Sequence, residues 1–294
     1  MPNFPQGATL HSLATFFHRS SGARSRVQGY LRYYGVPKAR LESGNPSGQG
    51  ASHLAESFLG SRLSGAELIR RHTLLGLYGP AMHLDWWGNQ RVAEIADGFS
   101  PGKFTERPWK QKPLSWCPDC CREDFNRFGW APWRVVHQVP FIHHCPDHRT
   151  NLLTFCAFCN EPLDQGFHWR LPNDACFKCK SSSFRPVCLV DQCSGYQRLL
   201  RVLAMLNRVM ASGEPLDAIR NLMWGKGLST RSSRAKAAAD QLSVEWGLSN
   251  PEKEIPERLG VSENCGSIGW SLLFWWDASP LAILLLISLF PEFD

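Results

Sequence analysis

Four pairs of cysteine or histidine, each with two residues between its members, fall within 63 residues of this chain: Cys117 with Cys120, Cys145 with His148, Cys156 with Cys159, and Cys176 with Cys179. Two ligands on one tight turn reach the same ion, and a tetrahedral zinc ion needs two such turns. The pattern predicts two metal sites rather than a disulfide framework. The total of eleven cysteines is odd, and paired Cys-x2-Cys turns in a reducing compartment signal metal. The start, Met-Pro-Asn-Phe-Pro-Gln, has no basic stretch followed by an apolar one, so a cytoplasmic location is expected.

Pairing the turns in chain order gives a site of three Cys and one His and a site of four Cys. The inner gap of the second, 16 residues, is that of a zinc ribbon, whereas the first has 24 residues, enough to form a hairpin. A cross-braced arrangement, first turn with third and second with fourth, uses the same eight residues. His137, His143 and His144 lie close by and could stand in for His148, but only His148 completes a turn with Cys145. The other three histidines read as surface residues or as supports of the ligands. Cys121, Cys188, Cys193 and Cys265 have no such spacing and are left unassigned.

Both expected sites have four protein ligands and no open position for water or substrate, so the zinc, two ions per chain, reads as structural. With no nucleophile elbow, phosphate-binding loop or HExxH motif elsewhere, the chain reads as a binding protein and not an enzyme.

The net charge of +6 is unevenly spread. Residues 1–50 carry six basic side chains and one acidic, and residues 101–190 carry twelve and eight, while the remaining stretches are slightly acidic. Arg19, Arg24, Arg26, Arg32, Lys38 and Arg40 form the first basic group, and Lys103, Arg107, Lys110 and Lys112 the second, in a proline-containing linker. Both are candidate phosphate contacts. Seven ligand thiolates and two zinc ions would bring the whole chain down to about +3, so bulk charge is weak support for nucleic acid.

The helical signals frame the cysteine region on both sides. Thr9 can cap a helix carrying Leu10, Leu13, Phe16 and Phe17, and Ser64 with Glu67 has the spacing of a capping box. Beyond Pro186, Leu199, Leu203, Leu206 and Met210 share one helical face. A further helix is expected over Arg234 to Trp246, and the charged, proline-flanked stretch Ser249 to Glu257 reads as a loop. The expected division is a helical unit over 1–105, tandem zinc ribbons over 106–187 and a second helical unit over 188–294, mainly α with small β ribbons. The apolar stretch Trp270 to Phe290 is broken by Asp277 and Pro280. It leaves about ten uninterrupted residues where a membrane span needs roughly 20, so it reads as a core helix. Trp86, Trp87, Trp130 and Trp133 sit in polar or glycine-rich contexts that suit either core packing or docking.

The run Trp116-Cys-Pro-Asp-Cys-Cys-Arg-Glu-Asp124, then Gly129-Trp-Ala-Pro-Trp-Arg134, His137-Gln-Val-Pro140 and Cys145-Pro-Asp-His148 resembles the TniQ/TnsD family of transposition proteins. Asn3-Phe4-Pro5 and His72-Thr-Leu-Leu-Gly-Leu-Tyr78 are similar to N-terminal segments of the TnsD-like branch, and Pro280 to Phe290 to one of its apolar helices. The resemblance implies a helix-turn-helix module, tandem zinc ribbons and further helices. It also implies a role in choosing where a transposon inserts. One form of that role binds double-stranded DNA at an attachment site and recruits the transposon's AAA+ ATPase. The other serves as an adaptor on an RNA-guided CRISPR complex.

Overall fold

The computed structural model describes residues 4–5, 7–22, 28–37, 48–60, 63–78, 89–98, 113–163, 169–187, 193–212, 240–259, 285 and 288. Within them the chain is mainly helical, with one two-stranded sheet. Six described helices precede the cysteine region: α1 (Leu10–Ser20), α2 (Gly29–Tyr34), α3 (Ala51–Phe58), α4 (Gly65–His72), α5 (Leu74–Tyr78) and α6 (Asn89–Ala96). Then come α7 (Pro118–Phe128), the 3₁₀ turn Val135–Gln138, β1 (Phe155–Cys156), β2 (Phe184–Arg185), α8 (Ser194–Ser212) and α9 (Pro251–Arg258).

The expected caps are in place. Thr9 Oγ1 accepts from the Ser12 amide at 3.1 Å, which satisfies one of the donors that a helix start leaves open. Ser64 and Glu67 close a full capping box, each side chain accepting from the other's backbone N–H, at 3.2 and 2.8 Å. Leu199, Leu203, Leu206 and Met210 of α8 are all buried. Helix ends at Thr73, whose hydroxyl donates to the Ile69 carbonyl at 2.6 Å, and α5 turns straight back onto α4. Gly76 permits this approach, because a Cβ there would lie 2.3 Å from the Arg70 carbonyl oxygen.

The charged stretch after Ser249 is not a loop. Pro251–Arg258 is helical, with Pro251 in the first turn and Asn250 accepting from the Lys253 amide. Asn before Pro is a helix start, since proline's missing N–H costs nothing there. Ile255 and Leu259 are buried and fix this helix to the core. Of the expected helix over 234–246, residues 240–246 are described and helical, and of Trp270 to Phe290 only Leu285 and Ser288 are described, both buried. No described helix is long and apolar enough to cross a membrane.

Two seams join the N-terminal helices to the cysteine region. In the first, the segment before α1 pairs with the segment after α7: the Thr9 amide donates to Trp133 O and the Val135 amide to Gly7 O, both at 2.7 Å. Ser12 Oγ accepts from the Trp133 amide at 2.8 Å. In the second, Trp169 enters the helical unit, stacked on His11 and His18 with ring centroids 5.3 and 5.0 Å away and edged by Tyr33. Gly29 makes room, since a Cβ there would lie 2.5 Å from the Trp169 ring. These contacts produce one continuous core. The 3₁₀ turn at 135–138 meets both α5 and α8, which also touch each other.

His72 braces the first seam: its Nδ1–H donates to the Ala8 carbonyl at 2.7 Å, deep in the core. Burial, aided by Arg71, lowers its pKa to about 4 against the bond to Ala8. The neutral ring is the form that folds, so its contribution is complete above the ordinary histidine value of 6.5. It is lost progressively as pH falls from there toward 4. Replacement by Gln keeps a donor for Ala8 but removes the titration. The stability advantage of wild type over His72→Gln, measured by chemical unfolding, should shrink by about 2 kcal/mol between pH 7 and pH 5; an advantage independent of pH would refute this.

Two candidate metal centres

Three of the four turns are built alike. In each, the first cysteine's amide donates to the carbonyl five residues on, and its own carbonyl accepts from the amide four residues on. The partners are Thr150 and Arg149 for Cys145, Glu161 and Asn160 for Cys156, and Ser181 and Lys180 for Cys176, at 2.8 to 3.0 Å. The fourth residue after the cysteine is left-handed each time, with φ of 60° at Arg149, 59° at Asn160 and 64° at Lys180. Asn tolerates this well, and Arg and Lys at roughly 1–2 kcal/mol. The turn so formed points both ligand atoms to one side.

The first pair is made differently. Cys117 is the N-cap of α7 and Cys120 lies in its first turn, with Pro118 leading the helix and left-handed Gly129 ending it. The 24 residues between Cys120 and Cys145, which suggested a hairpin, are instead this helix and the 3₁₀ turn.

The ligand atoms of Cys117, Cys120, Cys145 and His148 lie within 4.8 Å of one another, and so do those of Cys156, Cys159, Cys176 and Cys179. The turns thus pair in chain order and are not cross-braced. In the first cluster His148 Nδ1 is 3.6, 3.3 and 3.6 Å from the sulfurs of Cys117, Cys120 and Cys145. In the second, Cys156 to Cys179 is 3.4 Å and Cys159 to Cys176 is 3.5 Å. A disulfide needs about 2.05 Å, whereas the edge of a tetrahedron with metal–sulfur bonds of about 2.3 Å is near 3.8 Å. The spacing suits ligands around one ion, and each cluster could hold one.

The thiols of the first cluster bias one another's ionisation. Hydrogen bonds from Cys120 and Cys145 hold the Cys117 thiol far below the usual range. The same pairing pushes Cys120 far up and Cys145 up to about 12. Three crowded sulfurs therefore cannot all ionise unless a cation joins them. In the second cluster burial opposes ionisation of Cys156, but backbone N–H groups of Cys159 and Phe158 donate to its sulfur and bring it down to about 6.

Around the ligands stands a set of supporting contacts. Thr150 Oγ1 is 3.2 Å from Cys117 Sγ, and Glu123 Oε1 is 3.0 Å from His148 Nε2. Arg134 makes two bonds to Asp124, at 2.8 and 2.9 Å, and lies 3.8 Å from Asp147. Burial works against the Arg134 charge, yet the bonds it donates to Asp124 keep it firmly protonated. His137, His143 and His144, expected at the surface or near the ligands, are all buried. His137 Nε2 is 3.8 Å from Cys120 Sγ, while His143 is held by Tyr196 and the Leu259 carbonyl. Cys121 is buried beside the first cluster and Cys193 is half-buried. Trp130 and Trp133 belong to the core. Cys188, Cys265, Trp86 and Trp87 lie outside the described residues.

Of the basic residues singled out in the sequence, two are described. Arg19 reaches across to Asp174, with Nη1 at 3.1 and 2.9 Å from its two carboxylate oxygens. Arg32 is exposed, its guanidinium 5.8 Å from the Tyr33 ring centre. Arg24, Arg26, Lys38, Arg40, Lys103, Arg107, Lys110 and Lys112 lie outside the described residues. The pairing of Arg19 with Asp174 could not be read from the sequence, because the partners are 155 positions apart.

A family model described as TniQ matches residues 1–152. The chain is also 28% identical over 163 residues to the transposon Tn7 transposition protein TnsD of Escherichia coli, a match covering 50% of this chain and 30% of that protein. The chain therefore aligns with less than a third of that relative's length. The family range takes in the first seam and all of the first cluster, and stops before the second.

Since each cluster draws on its own two turns, the ions should be separable. Full chain purified without chelators should carry two ions, and Cys176→Ser one, by elemental analysis; one ion or none in the unmodified chain would contradict the assignment.

Proposed function

The chain belongs to the TniQ family, and from that premise we propose that it selects the target site of a transposon. In this reading it binds double-stranded DNA at an attachment site and recruits the transposon's AAA+ ATPase, as a cytoplasmic binding protein without catalysis of its own. The observation that carries the reading is the family match over residues 1–152, together with a relative named as a transposition protein.

The metal in both centres is zinc in this proposal. Three Cys with one His, and four Cys, are the ligand sets that a tetrahedral, redox-inert, borderline-soft ion prefers. Four protein ligands close each site, which suits scaffolding. The helical unit then acts as a helix-turn-helix-type module, carried on tandem ribbons. Phosphate contacts come from the basic residues Arg19, Arg24, Arg26, Arg32, Lys38 and Arg40 and from the linker residues Lys103, Arg107, Lys110 and Lys112.

One observation favours a second reading. Arg19 is already paired with Asp174, which leaves less free charge on α1 for phosphates. An adaptor that joins an RNA-guided CRISPR complex to the transposition machinery would need no such charge.

Salt dependence separates the two. Each phosphate contact contributes a slope of about −0.9 in log affinity against log salt on duplex DNA, so Arg24→Ala/Arg26→Ala should flatten the slope by roughly two. Duplex binding across a salt series, with metal content checked in both proteins, is the measurement. An unchanged slope rejects these two arginines, and no duplex binding at low salt rejects the selector in favour of the adaptor.

A further inference from the structure

Helix α7 supplies more to the first centre than its two cysteines. One turn after Cys120 it presents Glu123, whose Oε1 lies 3.0 Å from His148 Nε2. The opposite ring nitrogen, Nδ1, faces the three sulfurs at 3.3 to 3.6 Å. The neighbouring cation does not compete for Glu123, since Arg122 pairs with Asp119. His148 is itself mostly covered, while the Glu123 side chain is 61% exposed.

We propose that Glu123 is the positioning residue of the first centre. By accepting from Nε2–H it fixes the tautomer of His148 that leaves the Nδ1 lone pair free for the metal, and it holds the ring in the plane that aims that lone pair at Cys117, Cys120 and Cys145. The inference rests on the reading of this cluster as a metal centre. A neutral imidazole carries one proton, which can sit on either nitrogen. If it sits on Nδ1, the ring cannot ligate through that atom. A carboxylate on the far nitrogen removes this ambiguity and makes the ring a better donor. The second centre has four thiolates and needs no such device, so the effect belongs to one ion of two.

An ordinary surface pair of histidine and glutamate would contribute little and would not distinguish the two ions. The test uses this difference. The full chain is loaded with cadmium-113, whose resonance separates a three-sulfur, one-nitrogen site from a four-sulfur site, and a competing chelator is then titrated in. Orienting partners of this kind typically change metal affinity 10- to 100-fold. In Glu123→Ala the three-sulfur resonance should therefore be lost at 10- to 100-fold lower chelator, with the four-sulfur resonance unmoved. Glu123→Gln, which keeps an oxygen acceptor in place, should retain the first ion to within a few-fold of wild type. Because Glu123 is largely exposed, both variants should keep the wild-type circular dichroism.

Equal retention of the first ion in Glu123→Ala and wild type would overturn the inference, and so would parallel weakening of both ions or a Gln variant as weak as Ala. A wild-type chain with no three-sulfur resonance would overturn the metal reading itself, and the inference with it.

Discussion

Thr9 and Val135 donate backbone hydrogen bonds across one short seam, to Trp133 and Gly7, and the placement of the N-terminal helices depends on that seam. Two such bonds alone are worth only about 1 kcal/mol each. Their register is set from below. Arg134, between the two bonded residues, is tied by two bonds to Asp124 of α7, whose carboxylate is buried while Arg134 is only partly exposed. Removing one partner of such a pair typically costs about 3–5 kcal/mol, because the other charge is left buried. Helix α7 is in turn placed by Cys117 and Cys120. The first cluster, α7, Arg134 and the seam thus form one chain of dependence, which ends at α1 and at His72 on the far side of Ala8.

What the sequence made legible follows from what produces periodicity or fixed spacing. Tetrahedral coordination favours two ligands with two residues between them, so the eight residues that the fold gathers into two clusters could be singled out from their spacing. The capping box at Ser64 and Glu67 and the apolar face of α8 are local, and they too were readable. Non-local contacts leave no such trace. The seam pairs residues more than a hundred positions apart, and His143 is buried with bonds to Tyr196 and the Leu259 carbonyl, contacts that spacing along the chain does not announce. Two helix starts carry local signals all the same: Asn250-Pro251 opens a helix within a charged stretch, and Cys117-Pro118 with Gly129 frames α7 in a gap long enough for a hairpin. Glu123 meets His148 across 25 positions of sequence, a pairing that no local spacing encodes.

These features bear on function through rigidity. Two clusters of four ligand-type residues, if each closes on an ion, would add fixed points to a core that already runs through both regions. The core is continuous across both seams, so the helices and the cysteine region are packed as one body among the described residues. Arg19, bonded to Asp174, gives a direct example: a basic residue of α1 is spent on joining the helices to the second cysteine region. A basic residue counted along the sequence is therefore not always free for a partner, as the Arg19–Asp174 pair shows.

The most direct test of this dependence is amide hydrogen exchange at Thr9 and Val135, with metal bound and after chelation. If the first cluster sets the seam, removing metal should abolish protection at both amides together with that of α7. Persistent protection at Thr9 and Val135, while the amides of α7 exchange freely, would contradict the account.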